Sequence, residues 1–253
     1  AMPLLILIDA NNGSVIAIIE AFALGQMRTG GISGLATDLM SRENATRMAM
    51  IGAGKQSITQ VAAVAAVRKL ERVTVWSPTP ANREALAAKV EASLGIEAVA
   101  TQALDEALDA ADIVTLATRA RVPFLTADAL PSGVHINAVG AITPERAEFE
   151  PALLARATLC AADSVPQVRK LSREFQESFG HDEAAWVQLR PLSDLVAGGG
   201  RRPEGADLTL FKAMGMGISD LSLGIAILER ARSTGLGKPL PAITRQAPRL
   251  TKN

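Results

Sequence analysis

Residues 48–57 read MAMIGAGKQS, and this stretch constrains the fold more than any other. An apolar run runs into Gly-x-Gly, and the small-residue segment SITQVAAVAAVRKL (57–70) follows it. Strand, glycine turn and helix open a βαβ unit. Gly52 allows the sharp bend and Gly54 lets a ligand come close to the backbone, while the helix N-terminus offers free N–H groups and a positive dipole end to an anion. The third glycine of the usual pattern is replaced by Ser57, which is small enough for helix and strand to pack. The plain alternative is a strand–turn–helix that holds nothing. The place of the loop at the head of a βαβ unit favours a bound dinucleotide, with Lys55 and Gln56 beside its pyrophosphate.

The same alternation continues. VTVW (73–76), EAVAT, IVTLAT (113–118), VHINAVG (134–140) and TLCAAD (158–163) predict strands, while Ala81–Leu94, LDEALDAAD and Pro151–Ala157 predict helices. Strands separated by helices imply a doubly wound α/β sheet of Rossmann type, placed at 46–180. Ahead of it, LLILID (4–9), the turn Asn11-Asn12-Gly13 and the run Ser14–Ile19 predict a hairpin. Arg28-Thr29-Gly30-Gly31 then opens a segment with helical spacing at Ile32, Leu35, Leu39 and Met40. Beyond 180, Gly198–Gly205 reads as a flexible basic loop, LTLFKAMG as a strand and Gly217–Ser233 as an amphipathic helix, with a loose tail after Pro239.

Composition narrows the chemistry. Lys+Arg and Asp+Glu number 26 each in 253 residues, so nothing suggests nucleic acid or an anionic membrane as a partner. No apolar run is long enough to span a bilayer, and PLLILI is too short for a signal peptide. The lone Cys160 excludes a disulfide framework, and a metal site is not expected from two distant histidines, His135 and His181. His135 falls within a strand and reads as a packed histidine. A cytoplasmic protein is the simplest expectation. The absence of tyrosine excludes a Tyr–Lys catalytic pair. After VTVW, where an acid would grip the ribose of NAD, the chain has Ser77, Thr79 and Arg83. Hydroxyls with an arginine suit a 2′-phosphate, so NADP(H) is preferred, with NAD(H) as the alternative. Arg83 also reads as an ordinary exposed helix residue.

RTGGISGLATDLM (28–40), IGAGKQS (51–57), ADIVTLATRARVPF (111–124), HINAVGAITPERAEFEPALLARA (135–157) and LTLFKAMGMGISDL (208–221) occur in this order. Together they resemble the ornithine cyclodeaminase/μ-crystallin family from about residue 4 to about residue 237. The resemblance implies a Rossmann domain (46–180), a remnant of an α+β substrate and dimerisation domain (1–45), and a C-terminal segment returning to that domain (181–253). It implies hydride transfer between nicotinamide and the α-carbon of a small imino or amino acid, in a homodimer or higher homo-oligomer. Carried over residue by residue, Arg28 grips the substrate carboxylate and Thr29 contacts a phosphate. Gly52, Gly54, Lys55 and Gln56 hold the pyrophosphate, and Ser77, Thr79 and Arg83 face the ribose. Thr118, Asn137, Val139 and Gly140 lie along the nicotinamide side. Phe211, Lys212 and Gly215 belong to the returning segment, with Lys212 a candidate catalytic group. The plain readings are that Val139 is core, Lys212 is solvated and Arg28 is a surface charge.

Two departures shape the functional expectation. The chain is short at its N-terminus against the family, whose additional segment carries a second carboxylate-binding arginine and a catalytic lysine. The family's cyclodeaminases also place an aspartate where Ile142 stands, and an alkyl group transfers no proton. The second departure argues against cyclodeamination and for NAD(P)H-dependent reduction of a cyclic ketimine acid, such as 1-pyrroline- or 1-piperideine-2-carboxylate, or for no catalysis at all. The alternatives are a non-catalytic NADP(H)-binding protein and an amino-acid dehydrogenase or cyclodeaminase. Thr143 is a weak candidate for a hydroxyl donor.

Overall fold

The structure, a computed structural model, describes residues 3–240. The tail beyond Pro239, expected to be loose, lies almost wholly outside them. The elements, in order, are β1 (Leu4–Ile8), β2 (Val15–Glu20), α1 (Phe22–Met40), β3 (Arg47–Ile51), α2 (Ser57–Ala65), β4 (Arg72–Trp76), α3 (Pro80–Leu94) and β5 (Glu97–Ala100). Next come α4 (Leu104–Leu108), β6 (Ile113–Leu116), β7 (Val134–Ala138), a short 3-10 turn (Pro151–Arg156), β8 (Ala157–Ala162), α5 (Val165–Leu171) and α6 (Arg173–Phe179). The last are α7 (Glu183–Val187), β9 (Leu189–Pro191), α8 (Leu192–Ala197), β10 (Leu208–Lys212) and α9 (Gly217–Ser233).

Eight strands form one sheet in the order β5-β4-β3-β6-β7-β10-β8-β9, and every pairing is parallel. The chain order reverses between β3 and β6, so a crevice opens at their carboxyl ends. The central strands are buried on both faces, as their continuous apolar sequences require. Each large side chain so buried contributes ~1.5–3 kcal/mol. The sheet does not stop at residue 180: β10 runs between β7 and β8, and β9 adds an edge. LTLFK is as apolar and as buried as β7 because it is an interior strand of the same sheet.

The local readings were altered in three places. Arg28-Thr29-Gly30-Gly31 does not open a segment; it lies inside α1, which begins at Phe22. Its glycines permit close helix packing, since a Cβ on Gly30 would lie 2.6 Å from the Thr59 carbonyl oxygen and one on Gly34 would lie 2.8 Å from that of Ala63. The helix after the glycine loop ends at Ala65, short of the expected Leu70. There the buried Arg68 turns to donate to the carbonyls of Thr37, Asp38 and Ser41 and to the Asp38 carboxylate, satisfying the open C-terminus of α1. The basic loop around Gly198–Gly205 is tied down. Arg202 donates to the carbonyls of Met40 and Ala206 and to the Thr209 hydroxyl.

The expected hairpin is β1 with β2, antiparallel with Leu4 opposite Glu20. Its inner face rests on α9, where a Cβ on Gly224 would come within 2.4 Å of Leu5. Its outer face leaves Leu4, Ile6, Ile8, Val15, Ile16 and Ile18 exposed.

Candidate active site

The glycine loop after β3 is built as its sequence requires. Gly52 has φ 106°, and a Cβ there would meet the Ala117 carbonyl oxygen at 2.5 Å, so no other residue fits. Gly54 faces open space, with nothing within 4 Å of an added Cβ. Ser57 does more than replace a glycine: fully buried, it donates its hydroxyl to the Gly52 carbonyl at 2.8 Å and ties the helix start to the turn. No side chain caps α2, which leaves its N-terminus open, and the Gln56 Oε1 is buried without a partner. The free N–H groups of this uncapped helix end suit a phosphate anion.

A cleft of about 370 Å³ opens at the carboxyl ends of the central strands. Arg28 and Thr29 line it from α1, and Gly54, Lys55 and Gln56 from the glycine loop. Thr118, Val139, Gly140 and Ile142 line it from the loops after β6 and β7, and Gly215 from the loop after β10. Among the described residues a larger cleft, about 880 Å³, lies between Asp38, Arg42, Gly133 and Arg202 at the amino ends of β7 and β10. Ligands of doubly wound sheets bind at the carboxyl ends, so size does not decide between the two.

Arg28 is half-buried. Its Nε donates to Asp220 at 3.0 Å, and Gly215 lies beside its Nη1, where a Cβ would come to 3.2 Å. Gly215 has φ 84° and its N–H is bound by Asp163 at 2.7 Å. Thr29 sits one residue on, with its hydroxyl donated to the Gly25 carbonyl. Lys55 is exposed and stands 5.5 Å from the Phe22 ring.

Glu148 organises the far side, and no sequence motif singled it out. Fully buried, its carboxylate accepts from the Thr118 N–H at 2.7 Å and hydroxyl at 2.8 Å, from the Gly140 N–H at 2.8 Å and from the Ala141 N–H at 3.0 Å. One side chain thus clamps the loops after β6 and β7. Burial pushes the Glu148 carboxyl up, against the Lys212 charge and these donors, which pull it down. Gly140 is required by this closeness: an added Cβ would lie 2.3 Å from the Glu148 carboxylate.

Several candidates fall elsewhere. Lys212 is neither solvated nor in the cleft. It is fully buried, pairs with the equally buried Glu174 at 3.4 Å and lies 5.8 Å from the Phe149 ring. Its charge serves Glu174 and Glu148, so a catalytic contact with substrate is not what the geometry provides. Asn137 is fully buried too, donating to Thr37 at 2.9 Å and facing His135 at 3.2 Å. It joins β7 to α1 beneath the cleft and does not line it. His135 is the packed histidine expected, with burial lowering its pKa to about 3. Phe211 is core. Val139 lines the cleft but is nearly buried. At the end of β4, Ser77 is buried and donates to the Thr79 carbonyl at 3.1 Å, while Arg83 donates to the Ser77 carbonyl at 3.0 Å. Thr79 is exposed and Arg83 half-buried. His181 is exposed and far from this chemistry in sequence. Asp163 was also unforeseen. Both its oxygens accept N–H groups, from Met214 at 2.9 Å and Gly215 at 2.7 Å. No cluster suited to a metal ion occurs among the described residues, and no helix among them is long and apolar enough to cross a membrane.

A parallel sheet with a glycine-rich loop at its switch point and a paired arginine across the cleft is the architecture of an α/β nucleotide-binding protein. Residues 1–235 match the ornithine cyclodeaminase/mu-crystallin family, and the chain belongs to it. It is 30% identical over 239 residues to a Delta(1)-pyrroline-2-carboxylate reductase of Bacillus cereus, covering 93% of this chain and 73% of the relative. It is 31% identical over 232 residues to the iminosuccinate reductase of Paracoccus denitrificans, covering 92% of this chain and 71% of that protein. Among solved structures, that of Thermococcus litoralis Delta(1)-pyrroline-2-carboxylate reductase in complex with NADH and L-proline superimposes with a TM-score of 0.87 at 30% identity, covering 93% of this chain and 73% of that one.

Proposed function

We propose that this chain is a nicotinamide-dependent reductase of imino acids, acting on a cyclic ketimine carboxylate of the 1-pyrroline- or 1-piperideine-2-carboxylate kind. The observation that carries the reading is one cleft holding both an open phosphate-binding helix end and, across from it, Arg28 with its Nε already paired to Asp220. That pairing uses Nε and leaves the terminal N–H groups for a substrate carboxylate, the group a planar fork holds best. Bound at the glycine loop, a reduced nicotinamide dinucleotide supplies the hydride. The substrate carbon of the C=N bond accepts it, the π pair moves to nitrogen, and the iminium becomes an amine. Thr118 and Gly140, fixed by Glu148, would shape the surface on which a bound ring packs. Holding the carboxylate at Arg28 presents one face of the imine, and orientation of this kind supplies several kcal/mol of the barrier.

Proton supply follows from the lining. Ile142 has no proton to give, the hydroxyls of Thr29 and Thr118 are donated to Gly25 and Glu148, and Asp163 is an acceptor of two N–H groups. An imine that arrives already protonated needs no donor from these side chains, and kcat/KM then falls as pH rises through the imine's own pKa.

Ser77, Thr79 and Arg83, with no acid after β4, support NADP(H) over NAD(H). Arg83 donates to the Ser77 carbonyl at the end of β4, which supports its use as a contact for a ribose phosphate. The division of the chain into a nucleotide-binding part and a substrate-binding part is proposed on the same footing, with β9 and β10 counted in the former. The apolar outer face of the hairpin supports a homodimer or higher assembly. Work in the cytoplasm, where reduced nicotinamide cofactors are at hand, completes the proposal. The second reading is a cofactor-binding protein without turnover, which the acid-free position at Ile142 favours. Titrating the purified chain with NADPH and NADH by tryptophan quenching, then adding a cyclic ketimine acid, separates the readings: binding with NAD(P)H consumption supports the reductase, and binding without it supports the second.

A further inference from the structure

The buried charge behind the cleft does not balance. Lys212 pairs with Glu174 at 3.4 Å, and the other oxygen of Glu174 accepts the Ser172 hydroxyl at 2.7 Å. Glu174 also accepts the Glu148 N–H at 3.2 Å, so the two glutamates belong to one cluster. With Lys212 matched to Glu174, these three fully buried side chains keep one negative charge, on Glu148. The N–H groups of Thr118, Gly140 and Ala141 can only donate, and they are divided between the two Glu148 oxygens at 2.7, 2.8 and 3.0 Å, the arrangement an ionised carboxylate requires.

That charge stands one peptide unit behind the cleft surface. Thr118, Val139 and Gly140 line the cleft, and a peptide unit sets its C=O opposite to its N–H. With the three N–H groups turned to Glu148, the carbonyls of Ala117, Val139 and Gly140 point away from it, and that of Ala117 faces the glycine loop at Gly52. Charge and peptide dipoles act in the same sense, towards negative potential at the loops after β6 and β7. The sheet order says which part of a dinucleotide meets them. The glycine loop follows β3 and the proposed ribose contacts follow β4, so the other end of the molecule extends over β6 and β7, on the opposite side of β3. The cations of the cleft do not cancel Glu148. Lys55 and Arg119 are exposed and Arg146 partly so, and water screens them, while Arg28 is matched by Asp220. Glu148 is fully buried, where the same charge acts through a lower dielectric.

We infer that Glu148 sets the redox balance of the bound cofactor: its buried charge, acting through the peptide units of Thr118 and Gly140, favours the oxidised nicotinamide, which is cationic, over the neutral reduced form. The inference rests on the nicotinamide reading of the cleft and adds a driving force to it. Positive charge develops on the ring as its C4–H bond breaks and the hydride passes to the imine carbon, so a fixed negative charge behind these loops lowers that barrier. Glu148 touches neither reactant. It is a positioning residue, held by the four donors it accepts.

Paired calorimetric titrations with NADP+ and NADPH, and with NAD+ and NADH, test it without turnover. Two variants are compared with the unaltered chain. E148Q removes the charge but also sets an NH2 group against N–H donors, so it loosens the clamp. E174Q leaves the clamp in place and keeps an acceptor for the Glu148 N–H, while Lys212 is released to neutralise Glu148. The ratio of the oxidised to the reduced dissociation constant is expected to rise about 10-fold in E148Q, the low end of what one close charge does to an ionisation. That factor is about 30 mV in the potential of the bound couple. E174Q should move the ratio the same way by a smaller factor, and it decides alone if E148Q does not fold. A ratio unchanged in E174Q overturns the inference: a structural clamp weakens both forms alike, and a shift confined to E148Q traces to the loosened loops. An unaltered chain that binds neither form removes the nicotinamide reading and the inference with it. A shifted ratio in a chain that reduces no imine supports the inference while the reductase reading falls.

Discussion

The two walls of the cleft are made differently. On the sheet side, each loop is held by a carboxylate: Glu148 clamps Thr118, Gly140 and Ala141, and Asp163 clamps Met214 and Gly215. Glu148 is itself inside a buried charge cluster with Lys212 and Glu174. On the other side stand α1, α9 and the hairpin, joined by the partly exposed Arg28–Asp220 pair. There Ile6, Ile8, Ile18, Phe22, Met27 and Ile218 are open to solvent. The contrast teaches which parts are self-sufficient. The sheet wall carries its own polar partners within this chain. The helix wall displays the kind of apolar surface that proteins cover with a neighbour.

The largest expected effect comes from breaking the sheet wall. E148A strands the buried Lys212 and Glu174 with a changed charge balance and leaves buried N–H groups without an acceptor. We expect a loss of about 3–5 kcal/mol in stability, read by denaturant unfolding, together with weaker NAD(P)H binding. E148Q, which keeps an acceptor oxygen, should lie between E148A and the unaltered chain. If E148A matches the unaltered chain in both readouts, the two walls are not different in kind.

The helix wall should respond in function and not in stability. R28A is expected to lower kcat/KM for a ketimine acid by roughly 100-fold or more, since a charge-assisted hydrogen-bonded fork is lost, with unfolding changed by less than about 1 kcal/mol. D220N should raise KM several-fold and change kcat less, because it frees Arg28 to swing without removing it. A D220N enzyme with unchanged KM would show that the pair does not orient the arginine.

Acid should loosen the layer beneath the cleft. Burial, with smaller effects from Arg202 and Arg68, holds His135 neutral down to about pH 3. The unfolded chain takes up that proton near pH 6.5. The stability this histidine gives is therefore present above about pH 6.5 and drains away as pH falls towards 3, by up to ~1.4 kcal/mol per pH unit. H135Q should flatten that slope between pH 6 and pH 4 in thermal melts. The smallest effect is expected on the hairpin. I6K/I18K should abolish self-association in light scattering and leave the fold intact, because both side chains are about half exposed in a single copy. A monomer before substitution would remove the case for a covered face.

Much of the fold was legible because its signals are local. The strand–glycine–helix unit at β3 and α2, the hairpin with its Asn-Asn-Gly turn, and the long helix α9 each announce themselves within a dozen residues. What was not legible depends on distant partners. LTLFK reads as a strand, but only tertiary pairing with Val134–Ala138 and Ala157–Ala162 places it inside the sheet. Arg28-Thr29-Gly30-Gly31 reads as the opening of a helical segment until α2 is seen pressed against Gly30 within α1. For the candidate site, the glycine loop and Arg28, which line one cleft, were readable from motif. Asn137 and Lys212 sit in equally recognisable motifs yet face inward, because alternation along a strand buried on both faces does not say which side holds the ligand. Glu148 reaches across thirty residues to Thr118, and a single glutamate between Ala147 and Phe149 gives no local sign of that reach.

The most direct test of the central claim is NAD(P)H consumption with 1-pyrroline-2-carboxylate, followed together with formation of proline and compared with R28A. The account predicts one proline formed for each cofactor oxidised, and a rate that collapses in R28A. Saturated cofactor binding with no proline formed would contradict it, and would leave a fold that holds the hydride carrier without using it.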